Sequence, residues 1–495
     1  MRIAQNIRMK FTRLHLNLAG ALLFFTLSAR AELSVSAIFG DNMVLQQQMP
    51  VPVWGWAAPG TTVTVTFAGQ TKSARAAVDG KWLVKLGKLK ASFTPESLVV
   101  SGDGTKTFTN LLVGEVWLAS GQSNMEKPIG KQAGQKPTLN AEAELAAANY
   151  PAIRIFKIEK TLAATEQSQL PKNSGWLACS SNSLNGTGFS AAAYFFGREI
   201  HAGLKVPVGL VESSWGGTRI EPWTPPAGFE AVPSLAKLAQ PVTDSGKLAN
   251  TRPLAIYNAM IAPITGFALR GALWYQGESN CMGTNDDDYL TYTEKMEALV
   301  GGWRKVWHEG DFPFYFVQIA PFKYYGGKVM RVKSPETLAE FWTLQAQAGR
   351  RIKNTGMVVT TDLVDNLDDI HPRNKSEVGR RLALLALNKT YGQRIASSGP
   401  VFKSVKFTGG KAVLKFDHDD GGLISKDGGP LTWFTIAGAD GKFVPAMATA
   451  EGQTVEVSAA TVPEPKAVRF AWAETAQPNF FNGAGLPAEP FQTGR

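Results

Sequence analysis

Histidine and cysteine are scarce in this chain, five and two among 495 residues. Two cysteines, Cys179 and Cys281, can build neither a multi-bridge disulfide scaffold nor a four-thiolate zinc site. The histidines are dispersed and no H-E-x-x-H occurs, so a zinc hydrolase lacks its ligands. No metal and no other cofactor is expected. No serine satisfies G-x-S-x-G, which removes the nucleophile elbow of an α/β-hydrolase. Nor does the chain hold an apolar run of the ~20 residues that a bilayer span requires.

The nearest to such a run, Leu16 to Leu27, lies within an N-terminal segment that has the layout of an export signal. Arg2, Arg8, Lys10 and Arg13 precede it, and Ala29-Arg30-Ala31 follows as a small-x-small cleavage site. The expectation is a protein exported to the periplasm or beyond, cleaved after residue 31, with no stable membrane insertion. Removing that segment takes away five basic residues and no acidic ones. It leaves 46 against 41, a net charge of +5 instead of +10. The remaining basic residues are scattered, so nucleic acid is not an expected partner. Hydrophobic content of 44% and charged content of 19% describe a globular chain with ample core. In an oxidising compartment Cys179 and Cys281 can pair or remain two buried thiols, and both readings stay open.

The texture then changes twice. From Leu33 to about Leu112, short strands alternate with turns: Val51 to Trp56, Pro59-Gly60, Thr62 to Phe67, and Asp79-Gly80 before Lys81-Trp82-Leu83. A small β-sandwich over 32–112 is expected, its core filled by Trp54, Trp56 and Trp82. Tryptophans on a β module would also suit stacking on sugars, as in a non-catalytic carbohydrate-binding protein. Residues 399–495 have a similar texture, punctuated by Gly409-Gly410, Gly428-Gly429 and Asp440-Gly441, and predict a second β module.

Between them, over 113–398, strand-like runs alternate with helix-period segments. The runs are Glu115 to Ala119, Ala152 to Ile158, Val208 to Glu212, Gly271 to Tyr275, Phe314 to Ile319 and Met357 to Thr361. The helical segments are Ala191 to Leu204, Tyr289 to Trp307, Pro335 to Ile352 and Lys375 to Lys389. Such alternation predicts one α/β domain with a parallel sheet, whose ligands bind beyond the carboxyl ends of the strands. The chemistry-bearing residues fall at those exits: Ser123 in GEVWLASGQSNME, then Ser214-Trp215-Gly216-Gly217, Gln276-Gly277-Glu278 and Asp362.

A serine hydroxyl needs an imidazole to take its proton. Four histidines follow the signal. His201 and His308 sit at helix ends and His418 in a charged turn of the last module. His371, between Asp368-Asp369 and Pro372, is the base by elimination, and either aspartate can steady its imidazolium. The oxyanion donors expected are the Ser123 N–H, a glycine of Gly216-Gly217, and the Gln276 amide. Glu126, Glu278 and Glu221 are acids at strand exits that a glycosidase could enlist, but Glu126 and Glu278 read better as supports of the serine loop. The run Asp286-Asp287-Asp288 reads as a solvated cap of the following helix rather than a calcium site.

These motifs resemble the sialate O-acetylesterase family, within the wider SGNH-type esterases. The resemblance rests on G-Q-S-N-M at Gly121 to Met125, W-G-G-T at Trp215 to Thr218, W-Y-Q-G-E-S-N at Trp274 to Asn280 and D-I-H-P-R-N-K at Asp369 to Lys375. Asn42 to Gln46, Val51 to Trp56 and Gly485 to Phe491 extend it over the whole mature chain. It implies a three-layer α/β/α domain flanked by the two β modules, Ser123 as nucleophile and His371 as base. Gln276 takes a place held by asparagine in much of the wider group. Asp369 or Asp368 completes the triad, unless a backbone carbonyl does. The implied substrate is an O-acetylated carbohydrate, with sialic acid in the family name and xylan as the alternative. Arg219, Glu278 and Asn124 are the candidate substrate contacts. Arg219 has Glu221 and Glu212 as competing partners. The loop from Lys127 to Asn149 is expected to form part of the pocket wall.

Overall fold

The computed structural model describes residues 32–240, 248–282, 288–326 and 332–494. The expected export signal, and Asp286 and Asp287 of the acidic run, lie outside them.

One long strand, Gly104–Gly121, organises the molecule. Its first half pairs with Ser92–Gly102 in an antiparallel sheet that also contains Thr62–Phe67 and Gln70–Arg75. Val44–Gln46 runs parallel to its middle. A second sheet of Ser34–Val35, Val51–Trp56 and Lys81–Leu86 belongs to the same N-terminal region. The two-residue period of these strands sends Val51, Val53, Trp82, Val84 and Leu86 inward, into one core with Val63, Val65 and Phe67. Trp54 and Trp56 have the opposite parity and stay half-buried on the outer face. Of the three tryptophans expected in this core, Trp82 is buried in it, Trp54 packs half-buried against its Phe39 at 4.8 Å between ring centroids, and Trp56 lies outside it.

The second half of Gly104–Gly121 is the centre of a seven-stranded sheet. In spatial order the strands are Leu177–Ser180, Asn149–Lys157, Val208–Ser214, Gly104–Gly121, Gly271–Tyr275, Phe314–Val317 and Thr355–Val358. All are parallel except the first, an antiparallel edge strand. Val208–Ser214 and Gly271–Tyr275 are buried along their whole length, as strands covered on both faces must be.

Alternate residues reach the two covering layers. Trp117, Ala119, Leu210, Leu273 and Tyr315 pack with the helices Ala191–Leu204 and Lys375–Leu385. Val116, Leu118, Val211, Trp274 and Phe316 share the other core with Tyr292–Trp307 and Thr337–Arg351. Burying each such side chain contributes about 1.5–3 kcal/mol. The result is the expected three-layer α/β/α arrangement.

The C-terminal region forms two four-stranded sheets and a two-stranded one around Phe416, Phe434, Phe470, Phe480 and Phe491. No described helix is long and apolar enough to cross a membrane. Cys179 and Cys281 are free and buried, and burial pushes the Cys179 thiol up to about 12.

Candidate active site

Strand register fixes where the motifs meet. Gly121 is paired with Ser214 on one side and with Tyr275 on the other. The segments beginning at Gln122, Trp215 and Gln276 therefore leave the sheet side by side at its carboxyl edge. Gly121 is required there: at φ +136° a Cβ would stand 2.2 Å from the Tyr275 carbonyl oxygen. The chain turns at Gln122 into the short helix Ser123–Glu126. Neither the hydroxyl nor the N–H of Ser123 has a hydrogen-bond partner among the described residues.

Gly216 lies against this serine. A Cβ on it would come within 3.2 Å of Ser123 Cβ and 3.0 Å of Glu126 Oε2. Its N–H donates to Glu126 Oε2 at 2.6 Å, and Lys160 pairs with the other oxygen of Glu126. Glu126 is therefore a support, as expected, and it occupies the Gly216 N–H. The Gly217 N–H, on an exposed residue, has no partner among the described residues. Gln276 departs further from expectation. Its amide nitrogen already faces Gln122 Oε1 at 3.1 Å, the Thr218 carbonyl at 3.2 Å and Asn280 Oδ1 at 2.8 Å. Its carbonyl oxygen accepts from Tyr292. Both of its N–H groups are engaged beneath the serine loop, which leaves the Ser123 and Gly217 N–H groups as the open donors.

His371 arrives on the loop before the helix Lys375–Leu385, whose first turn is capped by Asn374. The two loops are tied directly, because Asn124 Nδ2 donates to the Ile370 carbonyl at 3.1 Å. Asp369 Oδ1 accepts the His371 N–H at 3.0 Å and lies 3.6 Å from Nδ1. Asp368 instead points outward, 70% exposed, and pairs with Lys323 at 2.9 Å. Burial pushes the His371 imidazole down to about 4, assisted by the charges of Lys375 and Lys127 and opposed by Asp369. The ring is neutral at physiological pH.

Three expected substrate contacts are placed otherwise. Asn124 is fully buried and bonds Glu278 Oε1 at 2.5 Å as well as Ile370, while its Oδ1 accepts from Lys375 Nζ at 2.6 Å. Glu278 is buried and faces Asn124 rather than open space, and burial raises its carboxyl. Arg219 pairs with Glu221 and with Asp288, which Lys295 also holds at 2.8 Å. Asp288 is thus an ion-pair partner rather than a solvated cap, and the helix after it starts at Tyr292. The loop after Lys127 does reach the histidine segment. Leu139 N–H donates to the Arg373 carbonyl at 3.1 Å and Arg373 Nε to the Pro137 carbonyl at 2.8 Å.

Lys375 carries no role in the sequence reading beyond ending the D-I-H-P-R-N-K motif and opening a helix. It is wholly buried, its Nζ is 4.8 Å from the Tyr275 ring centroid, and burial pushes it down to about 7. A signal was available. Lys375 is the first residue of its helix, where the macrodipole disfavours a cation, and a lysine there needs another reason.

The family profile described as carbohydrate esterase, sialic acid-specific acetylesterase matches residues 113–388. Mouse sialate O-acetylesterase is 31% identical over 440 residues, covering 77% of this chain and 78% of that protein. The human enzyme is 30% identical over 505 residues, 92% of this chain and 91% of its own. The crystal structure of a carbohydrate acetylesterase from Xanthomonas citri superimposes with a TM-score of 0.82 at 36% identity, covering 93% of this chain and 99% of that one. The chain belongs to the sialic acid-specific acetylesterase family of carbohydrate esterases and is a carboxylic ester hydrolase.

Proposed function

We propose that this enzyme removes O-acetyl groups from sialic acids by a serine mechanism in which Ser123 is the nucleophile, His371 the base and Asp369 the group that steadies it. The observation that carries the assignment is the Asn124–Ile370 hydrogen bond, which holds the serine loop against the histidine loop. His371 takes the proton of Ser123 as the oxygen attacks the acetyl carbonyl. The alkoxide that develops on the carbonyl oxygen is met by the Ser123 and Gly217 N–H groups. Collapse of the tetrahedral species expels the sugar oxygen, which receives the proton from His371. Water then enters by the same route and releases acetate. Asp369 opposes the cost of forming the imidazolium, which Lys375 and Lys127 increase.

A sialate carboxylate calls for a cation, and Arg219 is already paired on both sides. Lys160 also carries one partner, Glu126, but it is the more exposed of the two, 43% against 21%. We assign it to the substrate carboxylate. The layout of residues 1–31 supports export, and N-terminal sequencing of protein from the periplasmic fraction should begin near Glu32. The mechanism is tested by acetate release from 4-nitrophenyl acetate and from 9-O-acetylated sialic acid with wild type and Ser123→Ala. Equal rates would sink it, and acetylated xylan assayed alongside would reveal a polysaccharide deacetylase.

A further inference from the structure

The outward face of the N-terminal sheet borders a recess of about 680 Å³. One wall is Trp54, Trp56 and Leu83, the first and last of these being cross-strand partners. The other is Pro263 and Trp307, which precede the strands Gly271–Tyr275 and Phe314–Val317. The recess is therefore at the amino ends of the parallel strands, whereas Ser123 is beyond their carboxyl ends. A five-residue strand alone separates the two levels by ~16 Å. Whatever occupies the recess does not meet the serine.

Its chemistry is specific. Trp56 is half-buried yet packs against no core cluster, Trp54 is half-buried with its ring against Phe39, and Leu83 is 48% exposed. The indole N–H groups of Trp54 and Trp56 have no partner among the described residues. Glu309 is at the rim, where its Oε2 accepts the Leu269 N–H at 3.4 Å, and burial raises its carboxyl to about 8. Flat apolar faces with unsatisfied donors beside them suit a pyranose ring, which is apolar on its face and hydroxylated around its edge. A recess of this volume is on the scale of a small-ligand site.

We propose that this recess is a second carbohydrate-binding site, which holds a neutral stretch of the glycan by stacking pyranose rings on Trp54 and Trp56, remote from the acetyl group being removed. This rests on the carbohydrate-esterase reading, and it adds that the natural substrate is a chain rather than a free monosaccharide. Lys81, paired with Asp79, and Lys85 lie on the edge of the recess, but its walls are apolar, so a neutral chain is favoured over a charged one.

The test uses the full-length protein carrying Ser123→Ala, titrated calorimetrically with a neutral xylo-oligosaccharide and with a sialylated trisaccharide. The neutral probe is expected to bind, and Trp56→Ala on the same background to weaken it at least about tenfold. Trp56→Phe, which keeps a ring, should retain most of the affinity. In the otherwise native enzyme Trp56→Ala should leave turnover of 4-nitrophenyl acetate unchanged, which reports folding and the serine chemistry independently. Absence of binding by the neutral probe, or binding indifferent to Trp56→Ala, overturns the proposal. So does tighter binding of the sialylated probe that is lost in high salt, since the lysines would then be the site.

Discussion

Replacing Lys375 by methionine should change both how fast and at what pH the enzyme works. The ammonium bonds Asn124 Oδ1 at 2.6 Å, and Asn124 in turn bonds the Ile370 carbonyl and Glu278. Loss of the donor leaves Asn124 and Glu278 buried without their cation. Breaking a buried charged pair typically costs 3–5 kcal/mol. Glu278, already shifted toward its neutral form by burial, can take a proton, so about 3 kcal/mol is the expected loss of stability in urea unfolding. The sign of the pH effect follows from charge. His371 acts as a base only when neutral, so kcat/KM falls as pH drops through its pKa, near 4. At that pH Lys375, with its pKa near 7, carries its full charge. Its removal lets the imidazolium form more easily and moves the acid limb upward. Burial remains the larger cause, so the shift is put at about 1 unit, the low end for a neighbouring charge. Lys375→Gln separates the two roles, since an amide can still donate to Asn124 but has no charge. It should share the pH shift and keep more of the stability. The assay is the pH–rate profile of 4-nitrophenyl acetate hydrolysis from about pH 3 to about pH 9, which spans the acid limb. An acid limb unmoved in both variants would refute the electrostatic reasoning.

Asp369→Asn should lower kcat by about 10²-fold or more, because the imidazolium loses its counter-charge, while Asp368→Asn, which touches only Lys323, should stay within about twofold. A loss from Asp368→Asn with Asp369→Asn close to wild type would return the third position to Asp368. Gly216→Ala places a methyl 3.2 Å from Ser123 Cβ, and a loss of kcat with an unchanged urea midpoint is expected. Lys160→Met should raise KM for 9-O-acetylated sialic acid about tenfold and leave 4-nitrophenyl acetate unaffected, a split that a purely structural lysine would not produce.

The parallel sheet and the meeting of the motifs were readable because they follow from strand periodicity. Six runs of apolar residues separated by helix-period segments allow few other arrangements, and in such a sheet every exit lies at one edge. The placing of His371 beside the serine loop was readable by elimination: of four candidates, His201 sits at a helix end, with Nδ1 2.7 Å from the Val206 carbonyl oxygen, and His308 caps a helix. The antiparallel edge strand Leu177–Ser180 was missed, as a four-residue segment with one buried side chain carries almost no period. The outward Trp54 and Trp56 were misplaced because hydrophobicity overrode parity, although Val51 and Val53 already marked the inner face.

What the sequence could not supply was the distribution of polar partners. G-Q-S-N-M states which residues surround Ser123, but not which of their donors are already taken. Gln122 Oε1 receives the Gln276 amide and the Ser279 N–H, Asn124 clamps the histidine loop, and Glu126 occupies Gly216. Each of these bonds joins residues about 90 to 250 positions apart in the chain, so no local rule predicts them. The consequence bears on specificity. With Asn124, Glu278 and Gln276 turned inward and Arg219 paired, the motif residues hold the Ser123 and His371 loops together but present few free groups to a sugar. Discrimination between one acetylated glycan and another then falls to the half-exposed surroundings, Lys160, Trp215, Gly217 and the Lys127–Asn149 loop. Exchanging that loop between relatives should therefore change substrate preference while leaving the rate on 4-nitrophenyl acetate in place.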